Sequence, residues 1–371
     1  MIHAILLDSS ILFHHHGVKC LVLSMYSDWI KNGKEVDLLV CDDNGQIRVL
    51  EPDAASIENL FFSGESFIGD KKTNIISKLS RSMQKKISRS TNINVNISQL
   101  NLFNNKKVYD QLTISAPWLV VPHLPLPKAR STKVIALDTI PIQYFFDNPN
   151  NHSLHMFAHA HHLGYQYASS QDGFLCISPS TLESVKKLGY LEENTPAEVL
   201  PYFMPPGFSS ICNDELVGVQ RENTAILAAP FDTRKGLDLM PQILNDSSIT
   251  KVNIIGNIRC KLELVKAFFN ELNINDVTWY ANASFATKKR LFLEAKVLVF
   301  PSYNEGLGLP MIEAYACGCR CLAFSHLSSN VLHAKDQMNS IEEFRGELST
   351  DKLSSHDPLY YSRYAKKLCE V

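Results

Sequence analysis

Residues 300–321 read FPSYNEGLGLPMIEAYACGCRC. The run in front of it, KVLVFPS (296–302), is continuously apolar and β-branched, the pattern of a strand buried on both faces of a parallel sheet. YNEGLG then reads as a loop. Pro310 suits the first turn of a helix, where a backbone N–H would have no intrahelical partner. MIEAYA continues that helix, and Gly318 is placed to end it. The stretch is therefore strand, glycine turn, helix start. Free N–H groups at such a start make an anion site suited to phosphate, and Gly306 and Gly308 let a ligand approach the backbone closely. Glu305 stands before the turn and Glu313 about one helical turn after it. Carboxylates accept hydrogen bonds from sugar hydroxyls. The expected ligand is a phosphate at one end and polyhydroxylated elsewhere; the plainer alternative is a packing unit with two surface glutamates.

Outward from this stretch the same alternation repeats. IHAILLD (2–8), EVDLLVC (35–41), PWLVVPHL (117–124), KVIALD (133–138) and DGFLCIS (172–178) read as strands in the first half. TAILAAP (224–230), KVNIIG (251–256), DVTWYA (276–281), KVLVFPS and CRCLAFS (319–325) follow in the second. Helical stretches such as PSTLESVKKLG (179–189) and ATKKRLFLEA (286–295) intervene. Strand–helix alternation predicts a doubly wound α/β protein, with ligands at the carboxyl ends of the strands. A chain of 371 residues suggests two domains, joined near the proline- and glycine-rich PYFMPPGFSS (201–210). With a net charge of −2, 45% hydrophobic and 20% charged residues, nothing asks for nucleic acid as a partner. No apolar run reaches the roughly 18 residues of a membrane span, and the N-terminus lacks a signal-peptide pattern. Nine scattered cysteines suit reduced thiols and a cytoplasmic protein.

PSYNEGLGLPMIEAYACG (301–318) resembles the signature of glycosyltransferase family 4, retaining enzymes of the GT-B fold, with Leu307 in place of the usual Phe. AILAAPFDTRKGLDLMPQIL (225–244) resembles the family's donor-diphosphate strand and turn, with Lys235 and Gly236 matching. There the usual Gly-Arg pair falls on Ala229 and Pro230, leaving Arg234 as the substitute. In the first half, residues 6–39 resemble the opening strand, glycine loop and helix, with Gly17 in the loop. IALDTIPI (135–142) resembles a His-Asp-x-x-Pro stretch of bacterial polysaccharide glycosyltransferases; Asp138 and Pro141 fit, and Leu137 replaces the histidine.

The resemblance implies a GT-B protein, two Rossmann-like doubly wound domains with a cleft between them. Residues 1–203 would form the acceptor-side domain and 204–352 the nucleotide-sugar domain. Residues 353–371 would be a helix crossing back to the first domain. It implies a retaining hexosyltransferase moving a sugar from a nucleotide diphosphate sugar to a growing surface glycan of O-antigen, lipopolysaccharide or capsule type, with a glycan or lipid-linked glycan as acceptor. Glu313 would hold the ribose, and Glu305 the transferred sugar. Backbone from Gly306 through Leu307 and Gly308 to Leu309 would hold sugar and diphosphate. Lys235 would offset the leaving charge. No metal or other cofactor is implied, and no general base. The alternative is a GT-B-like subunit without chemistry, binding glycan or a protein partner; the changed positions 137 and 230 favour it, and intact Glu305, Glu313 and Lys235 oppose it.

Three further features are read on both sides. His14, His15 and His16 precede Gly17, as a cleft-facing contact or an exposed polar loop. His155 and His159 stand at i, i+4 within NNHSLHMFAHAHHLGY (150–165), as a solvated helix face or an acceptor contact; no metal site is expected from either group. Cys317, Cys319 and Cys321 lack zinc spacing and are expected as buried thiols. Residues 70–89, DKKTNIISKLSRSMQKKISR, predict a basic amphipathic helix, either meeting an anionic membrane on the cytoplasmic face or packing its apolar side on the core.

Overall fold

The structure, a computed structural model, describes residues 1–14, 16–50, 65–83, 100–119, 125–147, 152–191, 194–205, 207–327, 331–355 and 357–370; side chains are described except at 12–14, 16, 152–155 and 157. In chain order the strands are β1 (Ile2–Asp8), β2 (Glu35–Cys41), β3 (Ile47–Leu50), β4 (Ser66–Lys71), β5 (Asn101–Leu102), β6 (Val108–Ile114), β7 (Lys128–Ala136), β8 (Gly173–Cys176), β9 (Ala197–Val199), β10 (Glu222–Ala228), β11 (Lys251–Ile255), β12 (Asp276–Asn282), β13 (Ala295–Phe300), β14 (Arg320–Phe324) and β15 (Gln337–Met338).

They form two sheets in two compact units. The first unit comprises 1–61, 93–203 and 305–307, the second 62–92, 204–304 and 308–371. The first sheet runs β5-β3-β2-β1-β6-β7-β8-β9. It is parallel from β2 through β9 and antiparallel at β3 and β5. The second runs β15-β14-β13-β10-β11-β12-β4, parallel except at β4. In each the winding direction reverses once, between β1 and β6 and between β10 and β13. Two doubly wound α/β units are thus present, as the alternation predicted.

Strands β1, β2, β10, β11, β12, β13 and β14 lie where the apolar runs put them, because such runs have no polar face to show to water. The described part of PWLVVPHL is not a strand. Pro117–Leu119 is a short 3-10 turn, and 120–124 lie outside the described residues. The strand beside β1 is instead Val108–Ile114. Its YDQLT mixes polar with apolar residues, with Asp110 and Gln111 adjacent, so it lacks the signature of a fully buried strand.

The basic stretch 70–89 is not one helix. Asp70 and Lys71 end β4, a helix covers Lys72–Lys78, and 84–89 lie outside the described residues. Although it stands in the first half of the sequence, this segment belongs to the second unit. β4 pairs antiparallel with β12, and Ile68, Ile75 and Leu79 enter the second core. That core is built on Trp279, Phe231 and Phe269, with the Phe231 and Trp279 rings 4.8 Å apart. Each such edge contact adds about 0.5–1.5 kcal/mol to simple burial. Lys72 Nζ donates to the Leu272 carbonyl and Lys78 Nζ to that of Ile68, at 2.5 and 2.6 Å. Two of the basic residues therefore satisfy backbone acceptors inside the unit.

The final helix, Pro358–Leu368, also groups with the second unit, packed on helices Leu309–Ala316 and Asn213–Gly218. Among the described residues no helix is long and apolar enough to cross a membrane. All nine cysteines are free.

Candidate functional site

In the second unit β10 and β13 lie side by side at the reversal of winding, where ligands of open α/β sheets bind at the carboxyl ends. Two loops leave those ends, Ala229–Gly236 after β10 and Pro301–Gly308 after β13.

The first loop turns through a short 3-10 helix, Thr233–Lys235, capped by the Asp232 carboxylate, which accepts from Arg234 N at 3.0 Å. Gly236 ends it at φ +69°, and a Cβ there would lie 2.2 Å from the Pro301 carbonyl oxygen. Only glycine lets the two loops meet this closely. They are also tied by Tyr303 N donating to Arg234 O at 2.9 Å and by Arg234 Nη1 donating to Asn304 O at 3.2 Å. Lys235 is 9% exposed, its Nζ 4.9 Å from the centre of the Phe300 ring. Ala229 stands where the family signature has glycine, and it holds φ +53°, a left-handed backbone that costs an alanine about 1–2 kcal/mol.

The second loop ends at Gly308, at φ +79°, and helix Leu309–Ala316 begins directly after it. Pro310 lies in its first turn and Gly318 follows its last, as read from the sequence. Glu313 is 1% exposed. Its Oε1 accepts from Lys288 Nζ at 2.5 Å, while Oε2 is buried with no hydrogen-bond partner. Burial pushes the Glu313 carboxyl above its ordinary value, against the pull of Lys288. Ser302 Oγ, directly after β13, and Asn257 Oδ1, after β11, are likewise buried and unpartnered. Such orphaned acceptors call for a ligand or for water.

Glu305, Gly306 and Leu307 group with the first unit. Glu305 is half-buried and Leu307 buried. A Cβ on Gly306 would meet the Leu137 carbonyl oxygen at 2.9 Å and the Asp138 Cβ at 3.2 Å. Asp138 Oδ1 accepts from Ile140 N at 3.1 Å, at the first residue of helix Ile140–Asp147. Leu137 is buried.

Gly17 departs from its expected place. It lies exposed inside helix His16–Lys31, with nothing within 4 Å of a Cβ added to it; the chain after β1 turns into helix at once. The side chains of His16 and His155 lie outside the described residues. His159 is exposed on helix His152–Ala168, while His161 is buried against Trp118. Among the described residues no three His, Cys, Asp or Glu side chains converge as a metal site. Cys317, Cys319 and Cys321 are buried, and burial pushes the Cys319 thiol up to about 12.

Two features were not singled out in the sequence. Lys288 had no mark beyond its helix. Asp8, closing β1, accepts from Ile11 N at 3.3 Å and from Trp118 Nε1 at 3.0 Å. It thereby ties together the carboxyl ends of β1 and β6; an aspartate at the end of the first strand was the available signal.

Residues 215–336 match the family model described as glycosyl transferases group 1. The matched segment is similar to that family over less than half of the chain. It carries Lys235, Lys288, Glu305 and Glu313 together. The whole chain is similar in fold to WaaG, a glycosyltransferase involved in lipopolysaccharide biosynthesis, at 13% identity and TM-score 0.59 over 95% of that chain. HepE of Anabaena, solved with UDP and glucose, is similar at 10% identity and TM-score 0.58, covering all of this chain and 95% of that one. WaaB, a lipopolysaccharide outer core galactosyltransferase, is similar at 13% identity and TM-score 0.52, covering all of this chain and 96% of that one. The fold these likenesses show is GT-B. No protein among those with curated functions matches the chain by sequence.

Proposed function

We propose that this chain is a retaining glycosyltransferase that moves a hexose from a nucleotide diphosphate sugar to a surface glycan of the lipopolysaccharide class. The observation that carries it is the buried, unpartnered Glu313 Oε2 at the winding reversal of the glycosyl transferases group 1 segment. A buried acceptor without a donor costs about 1–3 kcal/mol, and a ribose hydroxyl would supply the donor. The UDP and glucose held by HepE and the lipopolysaccharide roles of WaaG and WaaB support the donor and acceptor classes.

In this reading the N–H groups at the start of helix Leu309–Ala316 meet the diphosphate, and Arg234 replaces the arginine absent at Pro230. Lys235 balances the charge that grows on the leaving phosphate as the sugar–oxygen bond breaks. The leaving phosphate oxygen takes the proton of the attacking acceptor hydroxyl, so that the new bond forms on the face the nucleotide leaves. Glu305 orients hydroxyls of the transferred sugar. Lysine and helix start supply the positive charge, and no metal is required. Asp138, His16 and His155 are the acceptor-side candidates.

Calorimetric titration with UDP, GDP, TDP and CMP, with Glu313→Ala as control, tests the donor. One nucleotide should bind and the variant should lose it. Binding of none at millimolar concentration would leave a GT-B-like binding subunit. Lys235→Ala should lower turnover by about 10²–10³-fold, the effect of removing one transition-state charge contact, while nucleotide binding changes far less. Turnover unchanged in that variant would remove Lys235 from the chemistry.

A further inference from the structure

Helix Phe285–Glu294 is capped from far away in sequence. Ser284 Oγ accepts from Thr287 N at 3.0 Å. Above this cap sits Glu65, from the segment that joins the second unit out of the first half of the chain. Its Oε1 accepts from Ser284 N at 3.2 Å, from Ser284 Oγ at 2.6 Å and from Thr287 Oγ1. Burial opposes it, but these bonds hold the Glu65 carboxyl below its ordinary value, and a carboxylate at a helix start is favoured by the helix dipole. Lys288 lies in that same first turn, its backbone N donating to Ser284 O at 2.8 Å. Its ammonium reaches Glu313 Oε1, while the next residue, Lys289, turns to Glu215 at 2.7 Å. Oε1 is thereby occupied and Oε2 left open.

We propose that Lys288, steadied by Glu65 through the helix cap, is a positioning residue that fixes which Glu313 oxygen is presented to the ribose hydroxyls of the donor. This rests on the donor reading above. The pair gives a fully buried carboxylate one charged partner on Oε1, and it locks the rotamer so that only Oε2 is offered. Without Lys288 the carboxyl is free to rotate, and the presented acceptor is lost.

The test is titration of the full chain with UDP and with GDP, each beside its 2′,3′-dideoxy form. For whichever parent nucleotide binds, Lys288→Met should raise Kd at least tenfold and Glu65→Ala about threefold. Lys288→Arg should stay within threefold of wild type, and Lys289→Met should match it. The dideoxy form should bind wild type weakly and be insensitive to Lys288→Met, because the hydroxyls that Glu313 reads are gone. Equal Kd for Lys288→Met and wild type overturns the proposal. So does an equal loss for parent and dideoxy nucleotides, which would make Lys288 a support of the fold alone. If wild type binds none of UDP, GDP, TDP and CMP, the donor reading itself fails and takes this inference with it.

Discussion

Two buried carboxylates of the second unit, Asp336 and Glu313, are treated in opposite ways. At the amino ends of β14 and β15, Asp336 is fully buried and its carboxylate is satisfied. Oδ1 accepts from Arg320 Nε at 2.7 Å and Oδ2 from the Tyr315 hydroxyl at 3.0 Å. Arg320 also reaches Glu347 at 2.6 Å, and Glu347 reaches Lys352 at 3.5 Å. At the carboxyl ends, Glu313 Oε2, Ser302 Oγ and Asn257 Oδ1 have no partner, and Ala229 holds a left-handed backbone. The groups around Asp336 are spent on the fold, and several around Glu313 are left unspent. Strain and unmet hydrogen bonds collect where a ligand is to complete them.

The largest effect that would break this contrast lies at the amino end. Asp336→Ala leaves Arg320 Nε and the hydroxyls of Tyr315 and Tyr361, the latter 3.4 Å from Oδ1, without their shared acceptor and should cost about 3–5 kcal/mol in chemical denaturation; a loss under 1 kcal/mol would show that the network is ornamental. Next is Glu313→Gln, in which the amide oxygen still accepts from Lys288. Stability should change by less than about 1 kcal/mol, while nucleotide Kd rises about tenfold, equivalent to about 1.4 kcal/mol. Lost stability with unaltered binding would place Glu313 with Asp336 as a structural group.

The pH dependence of stability sharpens the point. Burial raises the Glu313 carboxyl above its ordinary 4.5, Lys288 opposing. Folding therefore disfavours its ionised form. The penalty is absent below 4.5 and grows as pH rises through 4.5 toward the raised folded value, so the unfolding free energy falls across that window. Glu313→Gln should remove this slope in urea denaturation at stepped pH; parallel wild-type and variant curves would count against a raised carboxyl. The smallest effect is at Ala229. Ala229→Gly relieves the left-handed alanine and should add about 0.5–1 kcal/mol, the relief exceeding the greater freedom of glycine in the unfolded chain. A loss of stability would mean that the backbone there is not held at positive φ.

Period and punctuation settled much of this protein from sequence alone. Runs such as IHAILLD, KVNIIG and KVLVFPS have no polar face and must be strands covered on both sides. Pro310 and Gly318 bound a helix because of what their own backbones permit. The strand–turn–helix around Glu305 and Glu313 was legible because its information is local. Other features depended on residues distant in sequence. Val108–Ile114 is a strand because β1 and β7 flank it, and its own polar residues hid that. Ser66–Lys78 belongs to the second unit because β12 offers an open edge and the core a place for Ile75, which no composition within residues 62–92 reveals. The selection of Lys288 rather than Lys289 as the partner of Glu313 follows from helix phase against a neighbouring helix. The sequence carries the propensities, and only tertiary packing decides which of two adjacent lysines meets a buried carboxylate.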